Sequence, residues 1–95
     1  LSDRLRLGPR LRGAFEALPP DRRRLVNLRL DQLARYFEGG RRKEDNPESL
    51  AFKAVKGGDG RTYECYAWSD GDARRFYGRF DADEVFVVDE LGKHL

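Results

Sequence analysis

Apolar positions in the first part of the chain recur at helical spacing. Leu11, Ala14, Phe15 and Leu18 stand at i, i+3, i+4 and i+7, which makes one stripe along a helix. Val26, Leu30, Leu33 and Phe37 form a second stripe, and Arg22, Arg24, Arg29 and Arg35 lie mostly away from it. Pro19-Pro20 separates the two helices. Proline cannot continue a helix but suits the first turn of the next, where Asp21 meets the positive end of the dipole. Gly39-Gly40 stops the second helix, and residues 41–47 (Arg-Arg-Lys-Glu-Asp-Asn-Pro) read as an exposed loop. Ahead of both helices, Asp3-Arg4-Leu5-Arg6-Leu7 alternates polar and apolar and predicts a short strand. Gly8-Pro9 ends it, with Pro9 suited to a first helical position.

From Phe52 onward the period changes to two. Phe52 to Gly58 leads into Thr62 to Trp68, then Arg74 to Phe80, then the apolar run Val85 to Val88. Asp59-Gly60, Ser69-Asp70-Gly71-Asp72 and Asp81-Ala82-Asp83 are turn-rich separators that fit hairpins. Alternation puts Phe76, Gly78 and Phe80 on one face and Arg75, Tyr77 and Arg79 on the other. The same rule separates Tyr63, Cys65 and Ala67 from Glu64, Tyr66 and Trp68. The expected fold is α+β, an N-terminal strand and helical hairpin packed on a small antiparallel sheet of three strands, with residues 1–95 forming one domain. Its expected core is Leu11, Phe15, Leu18, Val26, Leu30, Leu33, Phe37, Phe76, Phe80 and Val87.

Charge adds an asymmetry. Residues 1–43 hold 12 basic and 5 acidic side chains, whereas residues 44–95 hold 7 and 12. Fifteen of the nineteen cations are Arg, whose planar fork grips phosphate and carboxylate. This favours a nucleic-acid or acidic-protein partner, against the plainer reading of a solvated helix face. One Cys and one His cannot build a zinc site, and no phosphate-cradling glycine loop is present, so neither metal nor nucleotide cofactor is expected. No apolar run reaches the length of a membrane span and no signal-peptide core is seen, so the expected location is cytoplasmic with no membrane partner.

Several short motifs in order carry a resemblance. They are Leu18-Pro19-Pro20 before the second helix, the lysine-containing lead Phe52 to Gly58, and Thr62-Tyr63-Glu64-Cys65. After these come the Arg-led aromatic strand Arg75 to Phe80, the apolar strand Val85 to Val88 and the closing basic pair Lys93-His94. In this order and spacing the chain resembles the RelE/ParE superfamily of bacterial toxins, particularly its phage-derived HigB-like branch. Two positions depart from that pattern: Tyr66 stands where the family has Arg, and His94 is the second member of the closing pair.

The resemblance implies the toxin of a type II toxin–antitoxin system, a metal-independent endoribonuclease that cleaves mRNA on the ribosome and is restrained by a cognate antitoxin protein. Such cleavage needs a proton removed from the ribose 2′-hydroxyl, stabilisation of added negative charge and protonation of the leaving oxygen. Under that reading Arg75 stabilises charge, with Arg74 the alternative if the strand slips by one residue. Glu64 or His94 is the base and Tyr66 an acid. Lys53, Lys56, Arg74, Arg79 and Lys93 hold RNA phosphates, and Trp68, Tyr66 and Tyr77 offer stacking surfaces for bases. Plainer roles compete: cross-strand ion pairs for Arg75 and Arg79, anchoring of Arg75 for Glu64, packing for Trp68 and Tyr77. The alternative function is a non-catalytic protein of the same fold, either a gyrase-inhibiting toxin or a degenerate RNA or antitoxin binder.

Overall fold

A computed structural model describes residues 2–93. The alternating segment near the start forms β1 (Leu5–Leu7), whose Leu5 side chain is buried. Gly8 turns the chain into α1 (Pro9–Glu16), which begins on proline because its first N–H needs no helical partner. The Gly8 N–H donates to the Val88 carbonyl at 2.8 Å, and a Cβ at Gly8 would stand 2.9 Å from the movable Asp89 Oδ1 and 3.2 Å from the Val88 carbonyl oxygen, so this close approach favours glycine. Pro20 opens α2 (Pro20–Glu38) in the same way, with Asp21 in its first turn. At the far end Gly40 (φ 83°) and Arg41 (φ 61°) are left-handed. The Arg41 N–H donates to the Tyr36 carbonyl at 2.8 Å and that of Gly40 to Phe37 at 3.2 Å, which satisfies the last turn.

The loop expected at residues 41–47 contains a single 3-10 turn, Lys43–Asp45. Beyond it the Asn46 side chain accepts from the Phe52 N–H (2.8 Å) and donates to the Phe52 carbonyl (3.0 Å), folding the segment back on itself. This carries Leu50 and Phe52 into the core. Four strands follow: β2 (Lys53–Ala54), β3 (Tyr63–Trp68), β4 (Arg74–Phe80) and β5 (Phe86–Gly92). The sheet order is β1-β5-β4-β3-β2. Pairs β2–β3, β3–β4 and β4–β5 are antiparallel, whereas β1 lies parallel to β5, so the five-stranded sheet is mixed rather than purely antiparallel. A parallel pair needs a long crossover, and here the whole α1–α2–β2–β3–β4 stretch supplies it.

Both helices cover one face of the sheet. Leu11, Val26, Leu30, Leu33 and Phe37 pack there against Cys65, Phe76, Phe86 and Val88, while Phe15, Leu18 and Phe80 are half-buried at the margin. Val87 departs from the expected core. It pairs with Arg79 and Arg6, and so points to the helix-free face, while Phe86 and Val88 fill the core. An apolar run in both parities left that choice open in the sequence, and the covering of one face by helices makes it. Among the described residues no helix is long and apolar enough to cross a membrane.

Candidate functional site

Strand alternation brings Glu64, Tyr66, Arg75, Tyr77 and Arg79 to the face away from the helices, because Tyr66 pairs with Arg75 and Glu64 with Tyr77. Arg75 is the centre of this face. One terminal nitrogen, Nη1, donates to Glu64 Oε1, the diagonal neighbour across the β3–β4 ladder, and the other, Nη2, donates to the Tyr66 hydroxyl at 3.1 Å. The guanidinium carbon lies 4.5 Å from the centroid of the Tyr66 ring, within cation–π range. The side chains bury one another without any helix over them: Glu64 is 4% exposed, Arg75 9% and Tyr77 5%. Arg75 Nε is buried without a hydrogen-bond acceptor. Tyr77 donates to the Lys93 carbonyl at 2.7 Å, tying β4 to the end of β5.

The register decides between the two adjacent arginines. A bulge between Tyr66 and Trp68 sets Trp68 opposite Arg74 and turns both toward the helices. Trp68 is therefore in the core rather than on the Glu64 and Tyr66 face, which corrects the simple alternation. Its indole N–H donates to the Asp72 carbonyl (2.9 Å), and Arg22 of α2 lies 4.9 Å from its ring centroid. Arg22 also bonds Asp70 at 2.8 Å, which holds that carboxyl below its usual range, and Arg74 pairs with Asp72 at 2.8 Å. Trp68 and Arg74 are thus unavailable to a strand of RNA bound beside Arg75. Tyr77, equally buried, serves packing rather than as an open platform.

Arg79 shares the face of Arg75 but pairs with Asp59 at 2.5 Å. Asp59 accepts the N–H groups of Arg61 (2.8 Å) and Thr62 (3.0 Å), and these bonds, with Arg79 beside them, hold its carboxyl below the usual range. Lys53 on β2 stands opposite Glu64 and is exposed; Lys56, in the turn after β2, and Lys93, after β5, are exposed as well. His94 lies outside the described residues. Cys65 faces the helices, and burial pushes its thiol up to about 12, which removes it as a nucleophile. Among the described residues no group of three or more His, Cys, Asp or Glu is arranged to hold a metal ion.

Neighbours on this face that the sequence did not mark include Arg10 at the start of α1, which comes within 3.8 Å of Glu90. With Thr62, Tyr77, Gly78, Arg79 and Asp89 these two line a shallow groove of about 350 Å³. A second bulge, between Tyr77 and Gly78, opens it by offsetting Asp89. Only Gly78 hints at this in the sequence. The site can offer a positioned guanidinium, a phenol and an open groove beside them. No family model, curated protein or solved structure matches this chain.

Proposed function

We propose that this chain is a RelE/ParE-type toxin of the HigB-like branch, a ribosome-dependent mRNA endoribonuclease that acts in the cytoplasm and is restrained by a cognate antitoxin. The observation that carries the reading is the Arg75–Glu64–Tyr66 cluster on the helix-free sheet face. The element order of strand, two helices and sheet supports it, as does the meeting of Glu64 and Arg75, which come from two of the motifs that carry the family resemblance, with Tyr66, a departure from that pattern, beside them.

The chemistry follows from the hydrogen bonds. Glu64 fixes the guanidinium of Arg75, so that a phosphate brought to the sheet meets a charge held in place; this preorganisation is what stabilises added negative charge. Because Tyr66 accepts from Arg75, its own phenolic hydrogen stays free to be donated to a leaving oxygen. Glu64 is buried and engaged by Arg75, which suits an anchor better than a base. Removal of the 2′-hydroxyl proton then falls to His94. The Arg75 guanidinium lies over one face of the half-buried Tyr66 ring, and the opposite face is the one on which an unpaired base would stack.

One observation favours a second reading, a non-catalytic binder of the same fold. The charge of Arg75 is already balanced by Glu64, and that of Arg79 by Asp59. A phosphate must compete with a resident carboxylate at each. Inducing the chain in cells while following translation, mRNA 5′ ends and DNA supercoiling separates the readings. New mRNA ends that vanish with Tyr66→Phe support the endoribonuclease; altered supercoiling without such ends indicates a gyrase inhibitor; neither effect leaves the binder.

A further inference from the structure

On the helix side of the sheet, far from Arg75, a pocket opens where the end of α2 meets the end of β4. It is lined by Arg4, Phe37, Arg41, Phe80 and Glu84 and has a volume of about 230 Å³. Arg75 and Phe80 are five residues apart on β4 and point to opposite faces, so the pocket lies about 17 Å along the strand from the cluster above.

Its wall is aromatic. Phe80 meets Phe37 edge-on at 5.6 Å and Tyr63 at 5.3 Å, and it is only half-buried at the sheet margin. Arg41 reaches over these rings, with its guanidinium carbon 5.1 Å from the Phe80 centroid, 5.5 Å from Phe52 and 5.9 Å from Tyr63. Arg6, Arg10, Arg22, Arg42, Arg74, Arg75 and Arg79 each pair with a carboxylate. The two cations of the pocket, Arg4 and Arg41, have no such pair among the described residues, although Glu84 lines the same pocket.

The backbone adds an independent sign. Arg41 (φ 61°) and Glu84 (φ 60°) are two of the three non-glycine residues in the described chain with left-handed backbones, and both line this pocket. Gly40, just before Arg41, shows that glycine serves such a position freely. In the turn at Glu84, the Glu84 N–H donates to the Asp81 carbonyl and that of Val85 to Asp81 Oδ1, bonds that need no Glu side chain. Strained positions that carry long charged side chains into one cavity are the pattern of a binding site. A ring cap alone would explain Arg41, but not Arg4 or Glu84.

We propose that this pocket binds a single planar aromatic or heteroaromatic ring bearing an anionic group. The ring packs against Phe37 and the exposed rim of Phe80, beside the Arg41 guanidinium that already caps the Phe80 face; the anion meets Arg4 and Arg41, and Glu84 accepts an N–H of the ring. The volume lies below the roughly 300–1,000 Å³ usual for drug-sized ligands and suits one small ring system with its anion. A nucleotide and an aromatic carboxylate are the two sources of this chemistry.

The test titrates the full chain, followed by amide NMR, with adenosine 5′-monophosphate, with indole-3-acetate and with adenosine as the control lacking an anion. The expected result is saturable shifts centred on Arg41, Phe80 and Glu84, with adenosine at least about tenfold weaker. The tighter of the two anions identifies the source. Arg41→Asn, which tolerates the left-handed backbone, and Arg4→Gln each abolish binding. Glu84→Gly weakens it while raising the thermal midpoint, because the strain is removed. No shift with either anion at about 10 mM overturns the proposal. Shifts that survive Arg41→Asn, or a Glu84→Gly variant that loses stability, overturn it equally.

Discussion

Removing Arg75 should cost the fold as much as any chemistry. Glu64 is 4% exposed and its Oε1 accepts from Arg75, so Arg75→Ala leaves a carboxylate buried without its cation. Breaking a buried ion pair from one side costs about 3–5 kcal/mol. Lys53, opposite Glu64 on the exposed strand β2, can swing toward the orphaned charge and points to the lower end of that range. A chain of this length has roughly 5–14 kcal/mol of stability in all, so about a fifth or more is at stake. Trp68 is the sole tryptophan and is buried, which makes its fluorescence a direct reporter in a urea titration. With a slope of about 2 kcal/mol/M the Arg75→Ala midpoint should fall by about 1.5 M. Glu64→Gln, which keeps an acceptor for Arg75, should fall by less than half as much. The double variant Glu64→Gln, Arg75→Met should be more stable than the sum of its parts by about 2 kcal/mol. A midpoint for Arg75→Ala within about 0.5 M of the parent, or strictly additive effects, would refute the pair as a structural element.

Tyr66→Phe keeps the ring beneath the guanidinium but removes the acceptor of Arg75 Nη2, so it should lower the urea midpoint by about 0.5 M and, under the proposed function, lower mRNA cleavage by about 10²-fold or more; equal cleavage would exclude the phenol as acid. At Gly78 a Cβ would stand 2.3 Å from the Val87 carbonyl oxygen and 2.8 Å from the Phe86 ring, so Gly78→Ala should separate β4 from β5 and lower the midpoint by as much as the loss of Arg75 does, and a parent-like melting curve would contradict the register. Arg79→Ala, which breaks an exposed ion pair, should leave the midpoint where it is, as judged in the same titration. Burial raises the Cys65 thiol to about 12 from 9.0, so the unfolded chain loses this proton first. The contribution linked to this thiol is therefore fully present below pH 9 and should be lost above it by about 1.4 kcal/mol per pH unit until the folded thiol titrates at about 12. Cys65→Ala should remove that part of the alkaline slope, and an unchanged slope would refute the assignment.

The elements with a strong period were legible in the sequence. Val26, Leu30, Leu33 and Phe37 face the core as their spacing requires, and the Pro19-Pro20 step separates α1 from α2. Parity put Arg75 with Arg79 opposite Phe76 and Phe80 and left Arg74 open as the alternative, and the β3–β4 register sets Arg75 beside Tyr66 and Glu64. What parity could not supply was the bulges. One extra residue near Tyr66 reverses the face of Trp68, and nothing in Tyr-Ala-Trp announces it. Leu50 and Phe52 escaped for another reason: their burial depends on the Asn46 amide closing a loop, a contact with no periodic signature. The parallel placement of β1 was likewise hidden, since an isolated alternating triplet carries no information about its partner.

Ion pairing redistributes the charge asymmetry seen in the sequence. On the helix-free face Arg75 is matched by Glu64, Arg79 by Asp59 and Arg6 by Asp81, with Arg10 near Glu90 at its border. The basic excess of the first half remains uncompensated on the helices, where Arg12, Arg24 and Arg35 are exposed and have no carboxylate partner among the described residues. Long-range attraction of an acidic protein or a nucleic acid should therefore act through the helical hairpin, while the sheet face engages only at contact, by exchange of a resident carboxylate. Kinetics distinguish the two contributions. Replacing Arg12, Arg24 and Arg35 with Gln should slow association with an acidic partner and flatten its salt dependence, whereas Tyr66→Phe should leave both unchanged. An association rate insensitive to the triple replacement would return the attraction to the sheet and undo this division of roles.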